Sequence, residues 1–93
     1  MSDAHEGEWY NMSGITMYST DWCSDCRVAK RVFAEEHVAY VEINIEREPS
    51  GAEIVRSLNN GNQVVPTIVF PDGSILVEPS AAVLKEKLAS LAL

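Results

Sequence analysis

Short runs of apolar residues recur four times along the chain, and each run predicts a β-strand. The first two alternate between apolar and polar side chains, as strands with two different faces do. The third is apolar nearly throughout, with Pro66 near its start, where a strand tolerates a proline. The fourth follows a turn signal at 71–74 and is expected to pair with the third as an antiparallel hairpin. The four runs are 15–19, 39–45, 64–70 and 75–77.

Three further segments repeat their apolar residues every three or four positions, which is the spacing of a helix with one buried face. The first is predicted over 24–36, with Thr20 and Asp21 before it as capping side chains. The second opens at Pro49, a residue suited to the first helical turn, and Ser80 is the predicted N-cap of the third. The predicted buried stripes are Cys26, Ala29, Val32 and Phe33, then Ala52, Val55 and Leu58, then Val83, Leu84, Leu88 and Leu91.

The predicted element order is β-α-β-α-β-β-α, which places the chain in the α/β class. Strands joined through a helix lie parallel, and strands joined by a tight turn lie antiparallel, so the sheet is expected to contain both kinds of pair. Residues 1–13 carry no periodicity and are predicted to form a flexible amino-terminal tail. Trp9 and Tyr10 are predicted either to pack loosely on the edge of the domain or to belong to this poorly ordered segment. Residues 14–93 are predicted to form one domain, as a chain of 93 residues allows.

The charge balance restricts the partners that this chain can have. Seven Lys and Arg residues stand against fourteen Asp and Glu residues, giving a net charge of −7. That balance disfavours nucleic acid and anionic membranes as partners and favours a soluble monomer. No run of about 18 apolar residues is present, and the first twelve residues lack the basic start and apolar run of a signal peptide. We therefore expect a cytoplasmic location, where thiols are kept reduced.

The two cysteines, Cys23 and Cys26, stand two residues apart between the first predicted strand and the first predicted helix. A C-x-x-C at such a junction is typical of a redox site. The thiolate is the nucleophilic form, and the unpaired N–H groups of a helix amino terminus favour an anion. Cys23 is therefore predicted to attack, and the more buried Cys26 to resolve. A structural zinc ion would need about four ligands, and the chain offers only His5 and His37 besides the cysteines, so no bound metal is expected.

Asp25 and Arg27 are expected to tune the Cys23 thiol. A carboxylate two residues from Cys23 competes for the positive end of the helix and should raise the thiol pKa. Arg27, Lys30 and Arg31 are expected to offset this effect in part. A purely structural role for Asp25, as a favourable residue of the first helical turn, stays open.

The remaining predicted site residues are candidates for binding substrate. Trp22 is predicted either to form one wall of a groove beside Cys23 or to pack as an exposed aromatic on the neighbouring loop. A cis Val65–Pro66 bond would turn the Val65 backbone outward, where an extended thiol compound could pair with it as another strand does. Ser80 and Ala81 open a helix and could bind a carboxylate as well as cap the helix. The charged residues predicted to be solvated are His37, Glu42, Glu46, Glu48 and Glu53.

Five segments of the chain together resemble one family. They are the strand at 15–19, W-C-S-D-C at 22–26, V-V-P-T at 64–67, D-G-S at 72–74 and P-S at 79–80. The chain from about residue 14 to 92 resembles the glutaredoxin family of the thioredoxin fold. Within that family, the mycoredoxins of actinobacteria share a T-x-W-C-x-x-C start, a segment like that at 60–67 and a D-G-S…P-S ending.

The resemblance implies a four-stranded mixed sheet flanked by three helices, with Pro66 cis and close to Cys23. It implies a thiol–disulfide oxidoreductase in which Cys23 is the nucleophile. It also implies that Val65 and the Ser80 region hold a low-molecular-weight thiol, which is a co-substrate rather than a bound cofactor. The expected protein partners are thiolated or disulfide-bonded proteins.

Two departures from the family pattern bear on the choice of small thiol. Asp25 stands where family members usually carry an aromatic residue, which affects the thiol pKa and the preferred reductant. Glutathione-using members commonly place an acid early in the last helix, whereas 80–82 read Ser-Ala-Ala. The resemblance therefore favours mycothiol over glutathione.

Two alternative functions stay open at this point. One is an NrdH-like dithiol electron donor reduced by thioredoxin reductase, although the Trp-Ser-Gly-Phe-Arg-Pro segment typical of those proteins is absent from the sequence. The other is a non-enzymatic module that binds a partner or a metal–sulfur cluster. Cluster-binding relatives tend to have a single active cysteine followed by Gly-Phe-Ser, so Cys26 and the Ser24-Asp25 pair disfavour it.

Overall fold

A computed structural model of the protein describes residues 14–91. The predicted tail at 1–13, with Trp9 and Tyr10, lies outside the described residues and stays a prediction. The predicted element order is confirmed, and most elements are shorter than predicted at one or both ends. The elements are β1 (Thr16–Ser19), α1 (Ser24–Glu35), β2 (Val41–Asn44), α2 (Pro49–Leu58), β3 (Thr67–Val69), β4 (Ile75–Val77) and α3 (Ala81–Leu91).

The four strands form one mixed sheet in the order β2-β1-β3-β4. β1 runs parallel to β2, with Thr16 opposite Val41, because α1 returns the chain to the same end of the sheet. β3 runs antiparallel to both β1 and β4, and β3 and β4 form the predicted hairpin. This sheet with its three helices is the thioredoxin-like arrangement that the sequence predicted.

The alternation of side chains along β1 separates two apolar clusters on opposite faces of the sheet. Ile15 and Met17, both 0% exposed, pack on the face that carries residues from α1 and α3. Tyr18 points to the other face and packs with Ala52 and Val55 of α2. The helices therefore cover both faces of the sheet. Because β1 is covered on both sides, packing holds the strand in place, and the cysteine pair directly after it is held in place as well.

Two of the predicted stripe residues are exposed instead of buried. Val83 is 44% exposed and Leu58 is 38% exposed. Leu84 and Leu88 alone occupy the fully buried face of α3, and Val83 lies about 100° around the helix from Leu84. Leu58 is the last residue of α2, beyond the contact that Ala52 and Val55 make with the sheet.

The predicted cap of α1 was also wrong. The N-cap is Cys23, whose sulfur accepts a hydrogen bond from the Cys26 N–H at 3.0 Å. Asp21 instead accepts hydrogen bonds from Asn44 and Arg47. The Thr20 hydroxyl is buried and has no hydrogen-bonding partner among residues 14–91. The helix begins at Ser24, as predicted, and its cap is Cys23 rather than Thr20 or Asp21.

The unpartnered hydroxyl of Thr20 gives a stability prediction. We expect Thr20→Val to stabilise the protein by about 1 kcal/mol, because valine keeps the shape and removes a buried polar group that has lost its water. Thr67→Val is the matched control, since the Thr67 hydroxyl is buried and donates to the Val64 carbonyl at 2.7 Å. The control should lose stability. Urea unfolding midpoints measure both, and equal destabilisation of the two variants would contradict the prediction.

Among residues 14–91, no helix is long and apolar enough to cross a membrane.

Candidate active site

Cys23 and Cys26 are joined by a disulfide at the junction of β1 and α1, with their Cα atoms 5.2 Å apart. Cys23 is 8% exposed and Cys26 is 1% exposed. The predicted difference in burial is therefore confirmed, and Cys23 is the sulfur that a solvent-borne thiol can reach more readily. Reduction of this bond by two electrons and two protons would give two thiols, which is the chemistry of a redox pair.

The start of α1 supplies the electrostatics of the pair. Cys23 has extended backbone angles, as an N-cap residue does, and the Cys26 N–H points at its sulfur. In the reduced protein the same N–H and the positive end of the helix would favour the thiolate of Cys23 over the thiol. The local geometry thus suits Cys23 to nucleophilic attack.

Trp22 is 72% exposed beside the cysteine pair, and its indole Nε1–H donates to Glu46 Oε2 at 3.0 Å. The preceding residue, Asp21, is held by Arg47 at 2.7 Å and by the Asn44 amide at 2.8 Å. The loop before Cys23 is thereby connected to the end of β2. Glu46 was predicted to be only solvated surface, but it is a hydrogen-bonding partner that orients Trp22.

Asp25 and Arg27 are exposed in the first turn of α1. Arg27 makes no ion pair with a residue in the described part of the chain. Lys30, which was expected to offset Asp25, instead contacts Glu42 Oε2 through its Nζ at 2.9 Å. Of the three cations expected to offset Asp25, Lys30 is therefore paired with a different carboxylate.

The Glu42 carboxylate joins β1, α1 and β2, and it was missed as a candidate site residue. Its Oε2 accepts a 2.6 Å hydrogen bond from the hydroxyl of Ser19, which is 0% exposed. Burial acts to raise the pKa of Glu42, but the hydrogen bonds from Lys30 and Ser19 outweigh it and hold the pKa below its usual value. Ser19 was the sequence feature that could have indicated a buried polar contact here, because a polar residue on the apolar face of a strand needs a hydrogen-bonding partner.

The Val65–Pro66 peptide bond is cis, as the resemblance implied. Pro66 is buried, and its carbonyl accepts a hydrogen bond from the Glu78 N–H at 2.9 Å. Val65 is half-buried against the α2 side of the sheet. Within residues 14–91, no backbone hydrogen bond engages the N–H or C=O of Val65.

Ser80 is the N-cap of α3, as predicted, because its hydroxyl accepts from the Val83 N–H at 3.2 Å. Ser80 is exposed and Ala81 is half-buried. The first turn of α3 contains no acidic residue.

The strand register brings the predicted site segments to one end of the sheet. Thr67 lies opposite Tyr18 in β1 and opposite Val77 in β4. The chain therefore enters β3 at the end where β1 and β4 leave the sheet. The segments gathered there are 20–26, 64–66 and 78–81.

A recess of about 660 Å³ lies elsewhere, beside the end of α1 and the start of β2. It is lined by Phe33, Ala34, His37, Val38, Ala39, Tyr40 and Glu42, and neither cysteine contributes to it. We place the chemistry at the cysteine pair, because the recess is lined by no thiol. Residues 14–91 contain no group of three His, Cys, Asp or Glu side chains that could hold a metal ion.

Comparison with known proteins agrees with this geometry. The glutaredoxin family model matches residues 15–75. A glutaredoxin-like protein of Mycobacterium tuberculosis is 42% identical over 80 residues, which cover 86% of this chain and 95% of that protein. Mycoredoxin 1 of Corynebacterium glutamicum is 38% identical over 82 residues, covering 87% of this chain and all of that protein.

Two further proteins are less similar to this chain in sequence. The glutaredoxin-like protein NrdH of Lactococcus lactis is 33% identical over 58 residues, covering 62% of this chain and 78% of that protein. The crystal structure of wheat glutaredoxin superposes with a TM-score of 0.66 at 18% identity, covering 95% of this chain and 87% of the wheat chain, and shows the shared fold. The strand order, the cysteine pair at the start of α1 and these matches together show that the chain belongs to the glutaredoxin family of thiol–disulfide oxidoreductases.

Proposed function

We propose that the protein reduces mixed disulfides between cytoplasmic proteins and a low-molecular-weight thiol, with mycothiol favoured over glutathione. The observation that carries this proposal is the unequal pair at the start of α1, with Cys23 more accessible and Cys26 buried. A thiol that attacks an external disulfide must be reachable, and a resolving thiol need not be.

The reaction proceeds by two exchanges. The Cys23 thiolate attacks the small-thiol sulfur of the mixed disulfide, and the protein thiolate leaves and takes up a proton. Cys23 is then bonded to the small thiol. Either a second small-thiol thiolate attacks that adduct and releases a small-molecule disulfide, or Cys26 attacks Cys23, forms the observed disulfide and releases the small thiol.

The three converging segments provide a binding groove for the small thiol. The N–H and C=O of Val65, which no backbone hydrogen bond engages within residues 14–91, suit pairing with an amide of an extended compound. Trp22 forms one wall, and Pro66 holds the Val65 backbone in place. Ser80 and Ala81 present the amino terminus of α3 to a polar or anionic group of the same compound.

The start of α3 favours mycothiol over glutathione. The amine of a γ-glutamyl group needs a carboxylate partner, and the first turn of α3 contains none. The 38% identity to Mycoredoxin 1 along the whole of that protein supports the same choice.

A coupled assay with a small mixed disulfide tests the proposal. Mycothiol, glutathione, and thioredoxin reductase with a reduced nicotinamide cofactor are supplied in turn as the only reducing system. We expect the fastest turnover with mycothiol. Equal turnover with glutathione would contradict the preference for mycothiol. If only thioredoxin reductase supported turnover, and neither small thiol did, the proposed function would be contradicted.

The NrdH similarity favours one alternative, a dithiol donor reduced by thioredoxin reductase. In that case both cysteines are needed in every cycle, because the donor passes on two electrons as a disulfide forms. The reductase arm of the same assay distinguishes this alternative from the first.

Placing an acid in the first turn of α3 is expected to improve the use of glutathione. Ala82→Asp should raise kcat/KM with glutathione about two- to fivefold, since an exposed ion pair contributes up to about 1 kcal/mol. Ala89→Asp, which puts the same charge near the other end of α3, is the control and should change little. Equal effects of the two variants would show that net charge, and not contact with the amine, is responsible.

Asp25 gives a prediction for the thiol itself. We expect Asp25→Asn to lower the pKa of the Cys23 thiol by about 0.5, because a unit charge roughly 7 Å away in a solvated site interacts by about 0.6 kcal/mol. The pH dependence of thiolate absorbance in the reduced protein measures this. Glu35→Gln at the far end of α1 is the control, and an unchanged thiol pKa in Asp25→Asn would exclude the tuning role.

A further inference from the structure

Lys30 and Glu42 form an ion pair one helical turn from the buried cysteine. Lys30 follows Cys26 by four positions in α1, so the two residues are neighbours on one helix face, with Cβ atoms about 6 Å apart. Side chains in a helix tilt toward its amino terminus, which brings the Lys30 stem toward the turn of Cys26. Glu42 reaches this ammonium from β2 and binds it at 2.9 Å.

The pair is anchored by a third residue. The buried Ser19 hydroxyl donates to the same Glu42 oxygen that Lys30 contacts. Ser19 is the last residue of β1, four positions before Cys23. The Ser19–Glu42–Lys30 contacts therefore tie the strand that precedes the redox pair to the helix that follows it.

We propose that the Lys30–Glu42 pair sets the acidity of the Cys26 thiol, with Lys30 favouring the thiolate and Glu42 cancelling part of that effect. Both residues act through Cys26 and are positioning residues. The inference rests on the proposed division of roles, in which Cys26 resolves the adduct on Cys23.

The signs of the two charges make the proposal specific. A cation near a thiol favours its charged form and lowers its pKa, and an anion does the opposite. Removing the Glu42 charge leaves Lys30 uncompensated, so the Cys26 pKa should fall. Removing the Lys30 charge leaves Glu42 uncompensated, so the Cys26 pKa should rise. A role limited to stability would shift the thiol in neither direction.

Other charged and titratable groups around the pair lie on α1 and on the segments before and after β2. Asp25 and Arg27 flank Cys26 on α1 itself, and Arg47 follows β2 and adds to the positive field on Glu42. Tyr40 precedes β2, and its pKa is raised by burial and by the Glu42 charge, so it stays neutral near pH 7. These groups are unchanged in the variants below, and their contribution is common to all of them.

The test measures the Cys26 thiol pKa in the reduced protein with Cys23→Ser as background. We expect Glu42→Gln to lower that pKa by about 0.5 to 1 and Lys30→Met to raise it by a similar amount, given a unit charge within about 7 Å in a partly solvated site. The double variant should return close to the starting value. Lys30→Arg, which keeps the charge, should also leave it nearly unchanged.

The matched controls are Glu35→Gln and Lys85→Met. These two residues form an ion pair at 3.5 Å, with Glu35 on the same helix but nine positions beyond Cys26. That is about 13 Å along the axis, further than the screening length of about 10 Å in dilute salt. Neither control should move the Cys26 pKa. A shift of the same sign in Glu42→Gln and Lys30→Met, or no shift in either, would overturn the proposal.

The second readout is the rate at which Cys26 releases a small thiol from Cys23. In this step the Cys26 thiolate attacks Cys23 Sγ, the Cys23–Cys26 disulfide forms, and the small thiolate leaves and is protonated. Below the Cys26 pKa, a pKa lowered by 1 should speed this step about threefold, since the gain in thiolate is partly offset by lower nucleophilicity. If the pKa shifts appear but Cys26 never displaces the small thiol, the charge effect stands and the proposed resolving role fails.

Discussion

Replacing Cys23 by serine is expected to abolish the reduction of a small mixed disulfide, whichever reductant is supplied. A serine hydroxyl is not ionised at neutral pH and cannot form the mixed-disulfide intermediate. Cys26→Ser should keep most of this activity when mycothiol is present, because a second mycothiol molecule can resolve the Cys23 adduct. The two variants thus separate the attacking residue from the resolving residue.

Turnover of a fluorescent or chromogenic mixed disulfide at fixed mycothiol concentration measures both effects. The Glu35→Gln variant, which keeps both cysteines and lies at the far end of α1, serves as a control for purification and folding. Complete loss of activity in Cys26→Ser would indicate that every cycle passes through the Cys23–Cys26 disulfide. That outcome would favour the dithiol route and the NrdH-like alternative.

The second large effect is on stability, and it concerns Phe33. This residue of α1 is 0% exposed and stacks on Tyr40 with ring centroids 4.4 Å apart. We expect Phe33→Ala to cost about 3–5 kcal/mol, because burial is lost and a cavity remains. A domain of this size has a total stability of roughly 5–15 kcal/mol, so the variant should be partly unfolded under mild conditions.

Urea unfolding followed by circular dichroism checks this expectation, with Val83→Ala as the control. Val83 is also an apolar helix residue, but it is 44% exposed, so its truncation should cost less than about 1 kcal/mol. A midpoint for Phe33→Ala as high as that of the control would show that α1 does not depend on this contact. Because Cys23 caps α1 and Cys26 lies in its first turn, we also expect Phe33→Ala to lose activity near its unfolding midpoint.

The local pattern of apolar, polar and capping residues was sufficient to predict the order of the strands and helices. Each of the features used can be recognised from neighbouring residues: the alternation in β1 and β2, Pro49 at the start of α2, and Ser80 before α3. These signals work because propensity and capping act within a few positions of the chain. Boundaries were less reliable: β3 begins at Thr67 rather than Val64.

The capping of α1 shows where local reasoning failed. Thr20 and Asp21 are good capping types, and Cys23 is not among the preferred residues. Asp21 is drawn to Arg47 and Asn44, both more than twenty positions away along the chain. A contact between residues so far apart in sequence removes the Asp21 side chain from capping. The residues next to Asp21 do not reveal such a contact.

By itself, the sequence determined the class of fold, the cysteine pair at the start of a helix and the exchange chemistry that such a pair supports. Those depend on periodicity and spacing, which are properties of short stretches. The tertiary structure decided that Glu42 joins Ser19 to Lys30, one helical turn from Cys26, and that Glu46 holds Trp22. It also decided that 20–26, 64–66 and 78–81 meet at one end of the sheet. These outcomes depend on strand register and on side chains distant in sequence, because a single charge or hydroxyl is assigned its partner only when the chain has folded.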